Sequence, residues 1–104
     1  ISSFHRPTID HVHRVAPQVA TGWLVMEVRD PHALVERAAE LGHRAVHPHH
    51  LFVNEILVDA AHAAGLAVNT WTCDDPDRIR WLANIGVDAI VANDPAAALR
   101  ALGR

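Results

Sequence analysis

"LAVNTWT", residues 66–72, is the stretch on which the reading of the fold turns. Side chains of a strand alternate between two faces. Ala67, Asn69 and Trp71 therefore share one face, and Leu66, Val68 and Thr70 share the other. A strand in an open sheet with helices on both sides reads as a nearly continuous apolar run, and Asn69 beside Trp71 on one face does not fit that pattern. A strand of a (βα) barrel packs one face under its helices and turns the other inward, where small or polar residues are accepted near the mouth. The stretch favours the barrel.

The rest of the chain repeats a unit around this strand. Gly42, Gly65 and Gly86 follow Ala- or Leu-containing helical patterns at intervals of 21 to 23 residues, and each precedes a short β-prone run. Glycine suits the left-handed residue that closes a helix, because it has no Cβ to clash there. Helix starts are equally regular. Asp30-Pro31, Asp75-Pro76 and Asp94-Pro95 each put a side-chain acceptor at the cap and a proline at the first helical position, where no N–H is needed. A further helix is expected at roughly 54–64, capped by Asn54, and another at roughly 7–15, stopping before Pro17. Strands are expected at about 20–26, 44–47, 66–72 and 87–92.

Strands alternating with helices in this way imply βαβ units and a parallel sheet. The expectation is an α/β half-barrel of the TIM type, about four βα units, with all helices on one side and the whole of residues 1–104 in one domain. The competing architecture is a small flavodoxin-like binding domain, which needs helices on both faces. Ile1-Ser2-Ser3-Phe4 reads like the end of a strand, so the chain is expected to begin inside an element.

Composition narrows the function. Half of the 104 residues are hydrophobic and a fifth are charged, as in an ordinary globular domain. No apolar run approaches the ~20 residues that cross a bilayer, and no signal peptide is visible. The net charge of −3 argues against nucleic acid as a partner. All nine basic residues are arginine, which rules out Schiff-base or P-loop lysine chemistry within the chain. A single cysteine, Cys73, excludes an intrachain disulfide, and with nothing nearby to lower its pKa it reads as an inert thiol.

In order and spacing, Ser3-Phe4, Trp71-Thr72-Cys73-Asp74 and Gly86-Val87-Asp88-Ala89-Ile90-Val91-Ala92-Asn93-Asp94-Pro95 resemble motifs of the glycerophosphodiester phosphodiesterases. There the stretches read as a strand ending in Ser-Phe, then Trp-Thr-Val-Asn, then Gly-Val-Asp-Gly-Ile-Ile-Thr-Asp-x-Pro. Asp74 replaces the usual asparagine, and Ala92-Asn93 replaces Thr-Asp. The resemblance runs over essentially the whole chain and implies the C-terminal half of an eight-stranded catalytic barrel, from the tail of the fourth strand to the eighth. It implies metal-dependent hydrolysis of glycerophosphodiesters to glycerol 3-phosphate and an alcohol, a reaction of lipid metabolism, with a cytoplasmic location. The family's His-Arg-Gly and Glu-x-Asp motifs, which carry a divalent cation (Mg or Ca) and the acid/base histidines, have no counterpart here. His5-Arg6 is followed by Pro7, on the wrong element. No catalytic residue and no metal ligand is therefore expected in this chain, and the chain alone is expected to be inactive. The small-molecule substrate is the expected partner, together with the missing half-barrel or a second copy of this one.

For the substrate, Trp71 is the leading candidate. An indole at the inward end of a strand offers an apolar wall to a glycerol backbone and one N–H donor. Phe4 is a similar candidate at the rim, and His47 matches a cleft-lining position. His49 and His50 belong to the same "AVHPHHLF" loop, residues 45–52, but are expected to face solvent, because neighbouring side chains on extended backbone diverge and cannot share a metal ion. Phe52 is expected to pack under the loop, and Trp23 and Trp81 to lie in the core. Asn54 is the only uncharged cap near the histidines, and an ordinary cap is the favoured role for it over a phosphate site.

Overall fold

The computed structural model describes residues 2–16, 18 and 20–104, with Ser2 and Ser3 as backbone only. Ile1 and Pro17, on which two of the sequence expectations fall, lie outside the described residues. The elements run β1 (Ser2–Ser3), α1 (Arg6–Val15), β2 (Gly22–Val25), α2 (Pro31–Glu40), β3 (Ala45–Pro48), a 3₁₀ turn (His50–Phe52), α3 (Glu55–Ala63), β4 (Ala67–Thr70), α4 (Pro76–Asn84), β5 (Ala89–Ile90) and α5 (Pro95–Ala101). All the strands are parallel and their spatial order is their sequence order, β1-β2-β3-β4-β5. Crossovers between parallel strands are almost always right-handed. A sheet that always grows toward the same edge therefore lays every crossover helix on the same face. The flavodoxin-like alternative, which needs a reversal of strand order, is overturned, and the arrangement is an open half-barrel.

Local chemistry explains the repeat. The Asp30, Asp75 and Asp94 carboxylates accept from the N–H groups of Ala33, Asp77 and Ala97 at 3.1, 3.2 and 3.0 Å. The helices close with one recurrent bond that reaches back five residues: His43 N to Ala38 O, Leu66 N to Ala61 O and Val87 N to Leu82 O. Between the two ends of that bond the chain takes a left-handed residue, with φ of 78° at Gly65, which an L side chain would strain.

The core lies between the sheet and its helices. Val46, Val68 and Thr70 point into it from β3 and β4, against Leu57, Val58 and Ala61 of α3 and Ile79 and Leu82 of α4, all essentially inaccessible. Each large aliphatic side chain buried there contributes about 1.5–3 kcal/mol. Thr70 is tolerated because its hydroxyl donates to Pro48 O at 2.9 Å. Trp23 and Trp81 pack against this core but stay half-buried. The opposite face, lined by Gly22, Ala45, His47, Ala67 and Asn69, is the concave inner face. The alternation expected of residues 66–72 is thus observed.

Strands β2, β4 and β5 are shorter than expected. Among the described residues β5 pairs only with β4, and a strand with one partner is held over fewer residues. At the strand starts a buried network ties α1 down. His43 Nε2 meets Asp10 Oδ1 at 2.7 Å and its Nδ1 meets the Thr21 hydroxyl at 2.6 Å, so a neutral ring satisfies both partners, donating to the carboxylate and accepting from the hydroxyl.

Asp88 fastens β5 to β4 at the same end. Its Oδ2 accepts from Val68 N at 2.7 Å and lies 2.8 Å from His62 Nε2. Burial raises the Asp88 pKa, but the bonds from Val68 N and His62 outweigh it and hold the carboxyl below its ordinary value. A lowered folded pKa contributes stability that is complete above the unfolded value, about pH 4, and is lost as pH falls through the folded one. The urea midpoint of the wild type should therefore drop on acidification below about pH 4, and Asp88→Asn should show a shallower drop over the same range. Equal acid slopes in the two proteins would contradict this assignment.

Candidate functional site

The C-terminal ends of the strands form the mouth, and four aromatic or imidazole rings line it in sequence. Phe4, just beyond β1, meets Trp71, just beyond β4, edge-on with ring centroids 5.5 Å apart. Trp71 in turn lies edge-on to His49 at 5.0 Å, and His49 to Phe52 at 6.4 Å. Phe4 remains 54% exposed, so its ring is available at the rim. The indole N–H of Trp71 donates to His47 O at 2.7 Å. That corrects the expectation of a free donor: the Trp71 N–H is spent on fixing the ring.

His47 lies on the inner face, yet its ring leans away from the mouth. A Cβ built on Gly22 would stand 2.4 Å from His47 Nε2, so this glycine makes the room the imidazole occupies. Nε2 also lies 3.2 Å from Asn69 Nδ2 on the neighbouring strand. The ring borders a depression shared with Ala20, Thr21 and Arg44, residues at the strand starts. Burial lowers the His47 pKa from its ordinary value. The structure therefore brings Trp71 and Phe4 together and sets His47 below them.

The expectation that His49 and His50 face solvent is also corrected. Both are half-buried and stacked on each other, centroids 4.7 Å apart. His49 Nδ1 accepts from Leu51 N at 3.2 Å and so caps the 3₁₀ turn. Burial lowers the His50 pKa first, and His49 and Arg78 lower it further. The loop is held from outside by Arg78 of α4, whose Nη2 donates to His50 O at 2.5 Å and Val53 O at 3.3 Å. The Arg78 guanidinium also sits 4.3 Å from the centre of the Trp81 ring. Nothing in the spacing of the sequence announces this clamp. Phe52, expected under the loop, is instead exposed at its edge, because the turn carries it outward.

Asn54 is an ordinary cap, its Oδ1 accepting from Leu57 N at 2.9 Å. Cys73 is buried, which raises its thiol pKa and is the opposite of what a nucleophile needs. Among the described residues no three His, Cys, Asp or Glu side chains converge as a metal ion would require, so these residues do not by themselves fit a divalent cation.

An open half of a parallel barrel, with an aromatic lining where the strands end, defines a (βα)-barrel architecture, the class of fold in which sites are built at the mouth. Residues 1–97 match the glycerophosphoryl diester phosphodiesterase family. The chain belongs to that family. It is 32% identical over 83 residues to the Arabidopsis thaliana glycerophosphodiester phosphodiesterase GDPD4, a match covering 80% of this chain and 25% of the relative. In structure it is similar to a Silicibacter pomeroyi protein described as a glycerophosphoryl diester phosphodiesterase, with a TM-score of 0.89 and 34% identity over 97% of this chain and 36% of that one. It is also similar to an Oleispira antarctica phosphodiesterase solved with the product sn-glycerol-3-phosphate, with a TM-score of 0.88 and 27% identity over 99% of this chain and 41% of that one. The chain thus spans between a quarter and about two fifths of these relatives.

Against the family motifs, the departures at positions 74 and 93 turn out to be in contact. Asp74 Oδ1 accepts from the N–H groups of Asn93 and Asp94 at 2.8 and 3.3 Å, and its Oδ2 accepts from Asn93 Nδ2 at 2.9 Å. Asparagine followed by aspartate in the motif has become aspartate followed by asparagine, with amide and carboxylate exchanged between two mouth loops. An asparagine at position 74 could accept from the same backbone groups and donate its amide to an aspartate at position 93. Asn93→Asp is expected to cost about 1 kcal/mol of stability by turning carboxylate on carboxylate, and Asp74→Asn to cost less, because the Asn93 amide can flip and accept from the new amide. The double variant should recover most of the loss, and strictly additive effects in that double-mutant cycle would refute the exchange.

Proposed function

We propose that this chain is the C-terminal half, residues 1–104, of the catalytic barrel of a glycerophosphodiester phosphodiesterase, which hydrolyses glycerophosphodiesters to glycerol 3-phosphate and an alcohol. The observation that carries the reading is the Phe4–Trp71 pair at the mouth of a half-barrel belonging to this family. Trp71 and Phe4 form an apolar wall for the glycerol backbone, and His47 stands beneath it on the inner face. The Oleispira relative holds sn-glycerol-3-phosphate, which fits a wall of this size and character. The metal, Mg or Ca, and the histidines that move protons are held by residues outside this chain. Its own role is to shape the substrate's surroundings and to close the barrel. The reaction belongs to lipid metabolism and is placed in the cytoplasm. No helix among the described residues is long and apolar enough to cross a membrane.

Closure needs a partner. Among the described residues, β1 and β5 have no outer neighbour in the sheet. Beside β5 an apolar cavity of about 650 Å³ opens between α4 and α5, lined by Ile79, Val87, Ile90, Val91, Leu99 and Leu102 among others. The missing half-barrel is its natural occupant, and a second copy of this chain is the alternative that would make it a self-associating, non-catalytic module.

The purified 104-residue chain is expected to show no turnover of glycerophosphocholine with Mg or Ca, whereas the full gene product carrying an upstream His-Arg-Gly and Glu-x-Asp should show it. Robust metal-dependent hydrolysis by the 104 residues alone would overturn the division of labour. In sedimentation the chain alone should self-associate at micromolar concentration, and a stable monomer would remove the pairing argument.

A further inference from the structure

His49 is a mouth residue whose tautomer is set by the fold. Its Nδ1 accepts from the Leu51 N–H, and since a backbone N–H can only donate, that nitrogen carries no proton. The single proton of the neutral ring is therefore on Nε2. Nε2 lies across the ring from the cap and has no hydrogen-bond partner among the described residues. The backbone that carries the ring is equally fixed. His49 N donates to Val25 O at 3.1 Å, His50 N donates to Trp71 O at 2.9 Å, and His49 bridges to Trp71 across the sheet. His50 stacks on the ring, and Trp71 stands edge-on at 5.0 Å. A donor held in rotamer and tautomer before any ligand arrives loses little entropy when it binds one.

The charges around the mouth indicate which part of a ligand this donor meets. The helices that start there carry Asp30, Asp75 and Asp94 at their caps, and Asp74 adds a further carboxylate between the last two loops. These carboxylates stand at the same end as the Arg78 guanidinium and outnumber it, which disfavours a phosphate on this half. A neutral polyol would meet an aromatic wall and a neutral N–H.

We propose that His49 is a substrate-binding residue, its Nε2–H donating to a hydroxyl oxygen of the glycerol group that lies against Trp71. The inference rests on the phosphodiesterase reading and adds to it the residue that recognises glycerol. Two substitutions separate the two ring nitrogens. In His49→Asn the Oδ1 atom can replace Nδ1 at the cap while the Nε2 donor is lost. In His49→Gln an amide N–H reaches about as far as Nε2 while the cap acceptor is lost.

The test uses the full gene product. With glycerophosphocholine, His49→Asn should raise KM about five- to tenfold, the loss of one neutral hydrogen bond, with kcat little changed and the melting temperature kept. His49→Gln should do the reverse, keeping KM near the wild-type value and lowering the melting temperature. The KM effect of His49→Asn on bis(4-nitrophenyl) phosphate, which has no glycerol, should be several-fold smaller. An unchanged KM in His49→Asn, or an equal rise with both substrates, overturns the proposal. If the wild-type product hydrolyses neither diester, the phosphodiesterase reading itself fails. The His49 assignment is then decided by titrating the wild type with sn-glycerol 3-phosphate while following the ¹⁵N resonance of His49 Nε2, and a resonance that does not move rejects it.

Discussion

The pairing of β3 with β4 is the constraint on which the rest depends. Ala45 lies opposite Ala67 and Val46 opposite Val68, and the Thr70 hydroxyl reaches across to Pro48 O to seal the end of the register. That register sends Val46, Val68 and Thr70 under the helices and, by parity, His47, Asn69 and Trp71 to the inner side. A slip of one residue would exchange the two sets, burying an amide and an imidazole in the core. The bridge between His49 and Trp71 continues the same pairing past the strand ends. The mouth is thus an extension of the sheet.

What could be read in the sequence was what local chemistry decides. Asp-Pro starts and glycine ends bond within a few residues of themselves, so their spacing gave the helices directly. The alternation within residues 66–72 gave the two faces of β4, because neighbouring strands only amplify a period that one strand already has. The lean of His47 was illegible for the opposite reason. It is decided by the missing Cβ of Gly22, a residue on another strand with no local mark of that role. The Trp71 N–H was lost to a carbonyl, which no side-chain pattern reveals. Arg78 reaches from α4 to the carbonyls of His50 and Val53, and an arginine in the first turn of a helix looks like any exposed one. Asp74 and Asn93 could be seen singly as departures from a motif, and only their contact shows them to be one change.

This half carries rings and helix caps made of carboxylates. If the cation and the proton-transfer groups stand on the other half, as proposed, the separation has a physical advantage: a metal site needs converging carboxylates whose mutual repulsion the ion offsets, and keeping that cluster away from the apolar wall lets each be built without compromising the other.

The brevity of β5 has a further consequence. It extends over only two residues. An exposed edge is ordinarily a template for indiscriminate strand addition, and proteins blunt it by shortening it. Two residues give an incoming strand almost nothing to register on, so backbone pairing alone cannot select what adds to this sheet. Selection falls to side-chain packing in the cavity beside α5, where shape discriminates and a stray extended peptide gains little. The β5 edge is in that sense protected from amyloid-like growth.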